Sequence, residues 1–360
     1  MALAAQAMET FDGLKMPDPK KILVFHTAFL GDVILNLPMV QILKREYPNA
    51  EIDVAAIPNA AQVLQNHPAI HRVIEYDKRG SQKGIAGMVR MIGMLRQNRY
   101  DLAIVSHRSM RSALIVAAAG IPRRICFSKS AGRWFFTDVV TYQPSLHEVE
   151  RNISLLQPLN IKLQGKELPS VYPSADDIIA VNQAMQRHGI DPSQRFVAIA
   201  PGSVWATKRW PPEHFAELVR KIADRNWVPL LIGGPGDREL CISIAQLSQS
   251  QSVQNFAGEL TVLQSAELLR RCAVVISNDS APVHLAVAVR TPVIAIFGPT
   301  VPAFGFGPYG ISDRVVQIDG LKCRPCSIHG GDVCPIGTFV CMKDLRVENV
   351  MVHIDQITHV

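Results

Sequence analysis

Phe196-Val197-Ala198-Ile199-Ala200-Pro201-Gly202-Ser203 decides the fold, because this short apolar run ending in a Pro-Gly turn repeats a unit already present near the start of the chain. Five apolar residues bounded by a turn suit a strand buried on both faces, as parallel sheets require. Downstream, prolines open a helix over 212–225, and a strand at 228–232 ends in Gly233-Gly234-Pro235-Gly236. A helix at 263–271, a strand at 273–277, a helix at 283–289 and a strand at 293–297 continue the alternation. Upstream, Lys20-Lys21-Ile22-Leu23-Val24-Phe25 begins the same rhythm, with strands at 52–55, 72–74 and 102–105 and helices at 33–47, 60–66 and 87–99.

Strands alternating with helices in two separate runs imply an α/β protein of two Rossmann-like domains, whose parallel sheets face one another across a cleft. The expected divisions are a tail over 1–20, a first domain over 21–172, a second over 173–345, and a last helix in 346–360 that packs back onto the first domain. In open α/β sheets ligands bind at the carboxyl ends of the strands, so the turns after each strand should line the cleft.

Composition narrows the function. A chain of 360 residues is long enough for two cores, and its 24 prolines and 23 glycines are dispersed rather than gathered into low-complexity tracts. The first residues carry Glu9, Asp12 and Asp18 and no apolar stretch of the kind a secretory signal needs. The longest candidate membrane run, 113–121, is far short of the roughly 20 residues that span a bilayer. A soluble or peripheral protein of the cytoplasm is therefore expected. The net charge of +6 is concentrated in the first half. Arg108, Arg111, Arg123, Arg124, Lys129 and Arg133 meet no acidic residue between 106 and 133, and this stretch suits an anionic lipid surface, a phosphorylated acceptor, or simple solvation. Nucleic acid is not expected as a partner, since no aromatic-interleaved or helix-turn-helix pattern accompanies the charge.

The turns of the second half carry the specific signal. Pro201-Gly202-Ser203-Val204-Trp205-Ala206-Thr207-Lys208-Arg209-Trp210-Pro211 and Asn278-Asp279-Ser280-Ala281-Pro282-Val283-His284, with Phe297-Gly298-Pro299-Thr300, resemble the donor-binding segments of heptosyltransferases, glycosyltransferase family 9. Phe29-Leu30-Gly31-Asp32-Val33-Ile34 is similar to the family's N-terminal motif, and Leu146-His147-Glu148-Val149-Glu150-Arg151-Asn152 to its interdomain stretch. Order and spacing agree from about residue 20 onward.

The resemblance implies a GT-B-type fold and inverting, metal-independent transfer of a heptose from ADP-heptose to the inner core of lipopolysaccharide. It also implies an ADP-sugar donor, a lipid A-core acceptor, no required cofactor, and peripheral contact with the cytoplasmic face of the inner membrane. Ser203 and Thr207 could donate hydroxyl bonds to a diphosphate, Lys208 could neutralise it, and Ser280 with the backbone of Ala281 would lie at a helix start directed at the same phosphates. Ala281 stands where the family usually has glycine. Asp279 and His284 are donor-site residues by resemblance; taken alone they would be a helix cap and a core histidine. Asp32, in the first strand-to-helix turn, is the expected base for the acceptor hydroxyl, its plainer reading again being a cap. His26, Arg108 and Arg111 are the expected acceptor contacts, guanidinium forks being suited to carboxylate and phosphate.

Cys323, Cys326, Cys334 and Cys341 have enough thiols, and a suitable first spacing, for a tetrahedral metal site; free or paired thiols are placed ahead of that reading. A dehydrogenase is disfavoured because no Gly-x-Gly-x-x-Gly follows the first strand. An epimerase would need further cleft carboxylates. A catalytically inactive binder, or a transferase using another donor sugar, remains as the alternative.

Overall fold

The structure, a computed structural model, describes residues 18–163 and 165–358. The expected tail falls almost wholly outside the described residues. Each half forms a six-stranded, all-parallel sheet. The first comprises β1 (Lys21–Phe25), β2 (Glu51–Ala56), β3 (Arg72–Glu75), β4 (Leu102–Val105), β5 (Arg123–Phe127) and β6 (Asp138–Val140), in the order β3-β2-β1-β4-β5-β6. The second comprises β7 (Phe196–Ala200), β8 (Val228–Leu231), β9 (Gln254–Asn255), β10 (Val274–Asn278), β11 (Val293–Ile296) and β12 (Arg314–Val316), in the order β12-β11-β10-β7-β8-β9. In both halves the first strand lies near the middle, so the order reverses beside it. Ile22 of β1 pairs with Ile52 on one side and Leu102 on the other, which places all strand ends of one polarity along one edge.

The helices that matter for the site are α1 (Leu30–Glu46), α2 (Gly84–Asn98), α3 (Met110–Ala118), α4 (Glu148–Ser154), α5 (Ala175–Arg187), α6 (Pro212–Ala223), α7 (Arg238–Ser248), α8 (Val262–Arg270), α9 (Ala281–Ala288) and α10 (Val347–Thr358). Helix α1 is apolar nearly all round, with ten buried residues from Val33 to Leu43. Such a helix must be covered on several sides. It is sandwiched between its own sheet, α4 and the second half's α9, so one hydrophobic core runs without a break from Val33 to Val283 and Leu285.

The last helix departs from expectation. Val347, Val350, Met351 and Ile354 form an i, i+3, i+4, i+7 stripe that is buried with Ile276, Ile294, Ile296 and Val316 of the second sheet and Phe215 of α6. Asp355 pairs with Arg225 at 2.5 Å, and the indole of Trp210 donates to the Leu345 carbonyl at 2.8 Å. The stripe is satisfied by the second domain, so nothing remains to draw the helix to the first.

Candidate active site at the domain cleft

On the first sheet, β1 delivers His26, Thr27 and the N-terminus of α1 to the carboxyl edge. Phe29 is the N-cap and has no side chain able to cap, which leaves Asp32, third in the helix, to reach back. Its carboxylate accepts the Phe29 N–H. Burial, which strips water from the charged form, pushes Asp32 above the ordinary carboxylate range, against the lowering pull of that bond and of the His329 and Lys208 charges. Asp32 therefore faces two basic side chains contributed by the other half.

On the second sheet, two loops are tied together before any ligand arrives. Asn278, at the end of β10, donates to the Pro201 carbonyl at 2.7 Å and accepts the Trp210 N–H at 3.1 Å. Lys208 pairs with Asp279 at 2.6 Å, and Thr300 donates to the same carboxylate oxygen at 2.7 Å. The pair is nearly buried, so Lys208 is held in one place rather than waving in solvent. Ser280 is the N-cap of α9, but its hydroxyl lies near the Gly202 and Asn278 carbonyls rather than bonding into the helix; Ala281 begins the helix. Ser203 is buried beside them, its carbonyl accepting from Arg209 at 2.8 Å.

Thr207 has another partner than the one expected. Its hydroxyl donates to the Gly331 carbonyl and accepts the Gly331 N–H, both at 2.8 Å, which pins the cysteine-rich segment onto the Lys208 loop. Gly330, at φ +90°, allows that approach: a Cβ there would stand 3.2 Å from Lys208 Cγ and from Trp205 Cβ. The same segment carries His329 towards Asp32.

His284 marks where the halves meet. Its ring lies against Gly31, where a Cβ would come within 3.0 Å of the imidazole. Its Nδ1 has no partner, and burial, with the charges of His147 and Lys208, holds its pKa down at about 3. The ring is therefore neutral at neutral pH.

The residues expected to contact an acceptor lie on the first-sheet side of the cleft. His26 Nδ1 lies 2.5 Å from the Ser106 hydroxyl, which also accepts from Asn36. That contact leaves Nε2 buried and without a partner among the described residues. Burial, then the His107 and Lys78 charges, lowers His26 to about 3. Lys78 donates to the Thr27 carbonyl at 2.6 Å and its hydroxyl at 3.0 Å, beside His107 and Arg111. Arg108 is exposed and stacks over Tyr142 at 4.8 Å. Arg111 is engaged by the protein itself: Nε donates to Tyr76 Oη and Nη2 to the carbonyls of Gln82 and Gly84, so it buttresses loops. Sequence reading missed Lys78, whose only signal was its place after β3.

Glu148 of α4 is a second carboxylate raised by burial and by Asp32, and held by Arg151 at 2.8 Å. Arg151 donates to Pro144 on one side and Phe304 on the other, the Glu148 N–H donates to Gly305, and His147 bonds the Gly307 carbonyl. The interdomain stretch is thus a physical latch. Three of the four thiols of 323–341, those of Cys326, Cys334 and Cys341, line a small cavity of about 70 Å³ with Thr207 and Pro299. Among the described residues no group of three or more His, Cys, Asp or Glu side chains is arranged to hold a metal ion.

Residues 88–331, more than half of the chain, match glycosyltransferase family 9 (heptosyltransferase). Lipopolysaccharide heptosyltransferase 3 of Escherichia coli is 31% identical over 281 residues, 76% of this chain and 82% of its own. Lipopolysaccharide heptosyltransferase 2 of Escherichia coli K12 is 28% identical over 311 residues, 83% of this chain and 88% of its own. The solved structure of E. coli ADP-heptose lps heptosyltransferase II superposes with a TM-score of 0.76 at 24% identity, covering 94% of this chain and 98% of that one. Two facing parallel sheets, a Lys208-Asp279 pair at the cleft and an interdomain latch of His147, Glu148 and Arg151 thus occur in a sequence that matches one family over most of its length, and the chain belongs to glycosyltransferase family 9, the heptosyltransferases.

Proposed function

We propose that the protein transfers a heptose from ADP-heptose to the inner core of a lipopolysaccharide, by a single inverting displacement that needs no divalent cation. The observation that carries this reading is the placement of Asp32: a carboxylate of raised proton affinity on one domain, within electrostatic reach of Lys208 on the other. An acceptor hydroxyl is a poor nucleophile at neutral pH, and a carboxylate near it takes its proton as the new bond forms. Lys208 and the start of α9, with Ser203, Ser280 and Ala281 around it, supply the positive charge and N–H donors that a departing diphosphate needs. With base and leaving group on opposite walls, attack comes from the face opposite the diphosphate, which inverts the anomeric centre.

Asp279 positions Lys208 rather than touching the reacting bond, and His284 keeps a dry, neutral wall between the two helix starts. His26, Lys78 and Arg108 form a polar and cationic floor on the acceptor side, suited to an acidic sugar or its phosphate. Work at the cytoplasmic face of the inner membrane follows from a lipid-anchored acceptor; no helix among the described residues is long and apolar enough to cross a membrane. The test is product analysis with a panel of nucleotide sugars and truncated lipopolysaccharide acceptors, with and without EDTA. A mass gain of one heptose from ADP-heptose alone, with inverted anomeric configuration and no loss in EDTA, is expected. Transfer from another sugar nucleotide would replace the donor, and EDTA sensitivity would replace the metal-free mechanism.

A further inference from the structure

Several loops at the carboxyl edge of the first sheet end in large apolar side chains that no described residue covers. Ile85 is 76% exposed, Trp134 70%, and Phe29 and Val89 58% each; Met110 is exposed beside them. They belong to one surface. The Arg79 guanidinium sits 5.9 Å over the Phe29 ring, and Arg111 ties the starts of α2 and α3 together through the Gln82 and Gly84 carbonyls. Met110 packs so closely on Gly132 that a Cβ there would meet its sulfur at 2.8 Å, which fixes the turn that carries Trp134. Ile85 and Val89 are four apart on α2 and share a face.

Charge around these residues is predominantly of one sign, the Asp77 carboxylate being engaged by the Gly80 and Ser81 N–H groups of its own loop. Arg79, Lys83, Arg90, Lys129 and Arg133 are exposed around them. From Lys78 to Thr137 the only carboxylate is Asp101, which lies at the opposite end of β4, accepting the Lys20 and Lys21 N–H groups. Three of the six basic residues singled out in the sequence are not part of the surface charge: Arg111 bonds Tyr76 and the carbonyls of Gln82 and Gly84, Arg123 pairs with Asp138, and Arg124 bonds the carbonyls of Phe135 and Ile121. A contiguous apolar patch ringed by cations, with a tryptophan among the apolar groups, has the chemistry of an interface between anionic headgroups and acyl chains. Because the sheet is parallel, this rim borders the same edge that holds Asp32 and Lys78.

We propose that this rim is the surface by which the protein docks on an anionic lipid bilayer, with Trp134 and Ile85 entering the headgroup region and the acceptor mouth held against the membrane. The proposal rests on the reading of a lipid-anchored acceptor and adds to it the face that meets the lipid. Binding combines two weak contributions, apolar insertion and attraction of several lysines and arginines to headgroups, so it should be reversible and salt-dependent.

The test is co-sedimentation of the full chain with phosphatidylglycerol/phosphatidylethanolamine vesicles and with phosphatidylcholine vesicles. It is run beside transfer onto a delipidated, water-soluble acceptor. The wild type should partition onto the anionic vesicles and not the neutral ones. The double substitution Ile85→Ser/Trp134→Ser should weaken that partition by about tenfold, and Lys83→Glu/Arg90→Glu by a similar factor, with circular dichroism and transfer to the soluble acceptor unchanged. A wild type that stays off anionic vesicles, or substituted proteins that bind as it does, overturns the proposal. A concentration-dependent dimer abolished by the same substitutions would assign the patch to a second copy and overturn it equally. Absence of soluble transfer by every protein, wild type included, strikes the functional reading instead, while the vesicle partition is read independently of it.

Discussion

Asp32 stands third in its helix and accepts the Phe29 N–H, a duty any cap could perform, so its chemistry must be separated from its capping. Asparagine makes the separation. It keeps an oxygen for the Phe29 N–H and loses only basicity. Asp32→Asn should lower kcat by roughly two to four orders of magnitude with little change in donor affinity or melting temperature. If the carboxylate is only a cap, turnover would be nearly normal. The raised pKa fixes a sign as well. The base works deprotonated, so kcat/KM should fall as pH drops through a value above that of an ordinary aspartate, and a profile flat down to pH 4 would remove it from the mechanism. Lys208→Ala should weaken binding of the nucleoside diphosphate by about 1.5 to 3 kcal/mol, roughly ten- to a hundredfold, measured by calorimetry. An unchanged dissociation constant would confine Lys208 to its pair with Asp279.

At the scale of elements, the Lys208 loop is held by another loop that lies on it. Gly330→Ala would force a side chain into a left-handed backbone at φ +90° and within 3.2 Å of Lys208 Cγ. Since Thr207 is bonded to the neighbouring Gly331, the strain should displace Lys208 with it, raising the dissociation constant for ADP about tenfold while acceptor KM holds. Equal affinities would mean that the loop moves independently of the site. This arrangement was invisible in the sequence, where Thr207 looked like a phosphate contact. Gly331 is its partner only because the chain returns from more than a hundred residues away. Central strands were legible for the opposite reason: β1, β4, β7, β10 and β11 are covered on both faces and read as unbroken apolar runs. β5 opens with Arg123 and Arg124, whose charges disguised a strand that pairs in full with β4, and β9 is only two residues long. The segment 113–121, considered as a membrane run, lies largely in α3, and it is apolar because α3 covers the inner sheet.

At the scale of the whole molecule, the halves touch through the starts of α1 and α9, and His284 is the side chain wedged between them. Sequence comparison could place His284 beside the donor, but the absence of a Cβ at Gly31 is what lets the ring approach the other domain so closely. Its burial has a thermodynamic consequence. The folded-state pKa is about 3, below the 6.5 of an exposed histidine, so over the interval between them the unfolded chain binds a proton that the folded chain refuses. The contribution of His284 to stability is therefore complete above pH 6.5 and is lost as pH falls towards 3. At pH 5 the loss is about 2 kcal/mol, from about 1.4 kcal/mol per pKa unit. His26, lowered to about 3 in the same way, adds a similar amount, whereas Asp32 and Glu148, raised by burial, act with the opposite sign. Comparing two proteins cancels everything except the substituted group. His284→Gln fills nearly the same space and cannot be protonated, so its unfolding free energy should fall less than that of the wild type between pH 7 and pH 5, by about 2 kcal/mol. Urea unfolding at the two pH values reads the difference directly. Equal losses in the two proteins would mean that His284 accepts its proton in the folded state, and that the contact between the two helix starts is open to water rather than closed around a neutral ring.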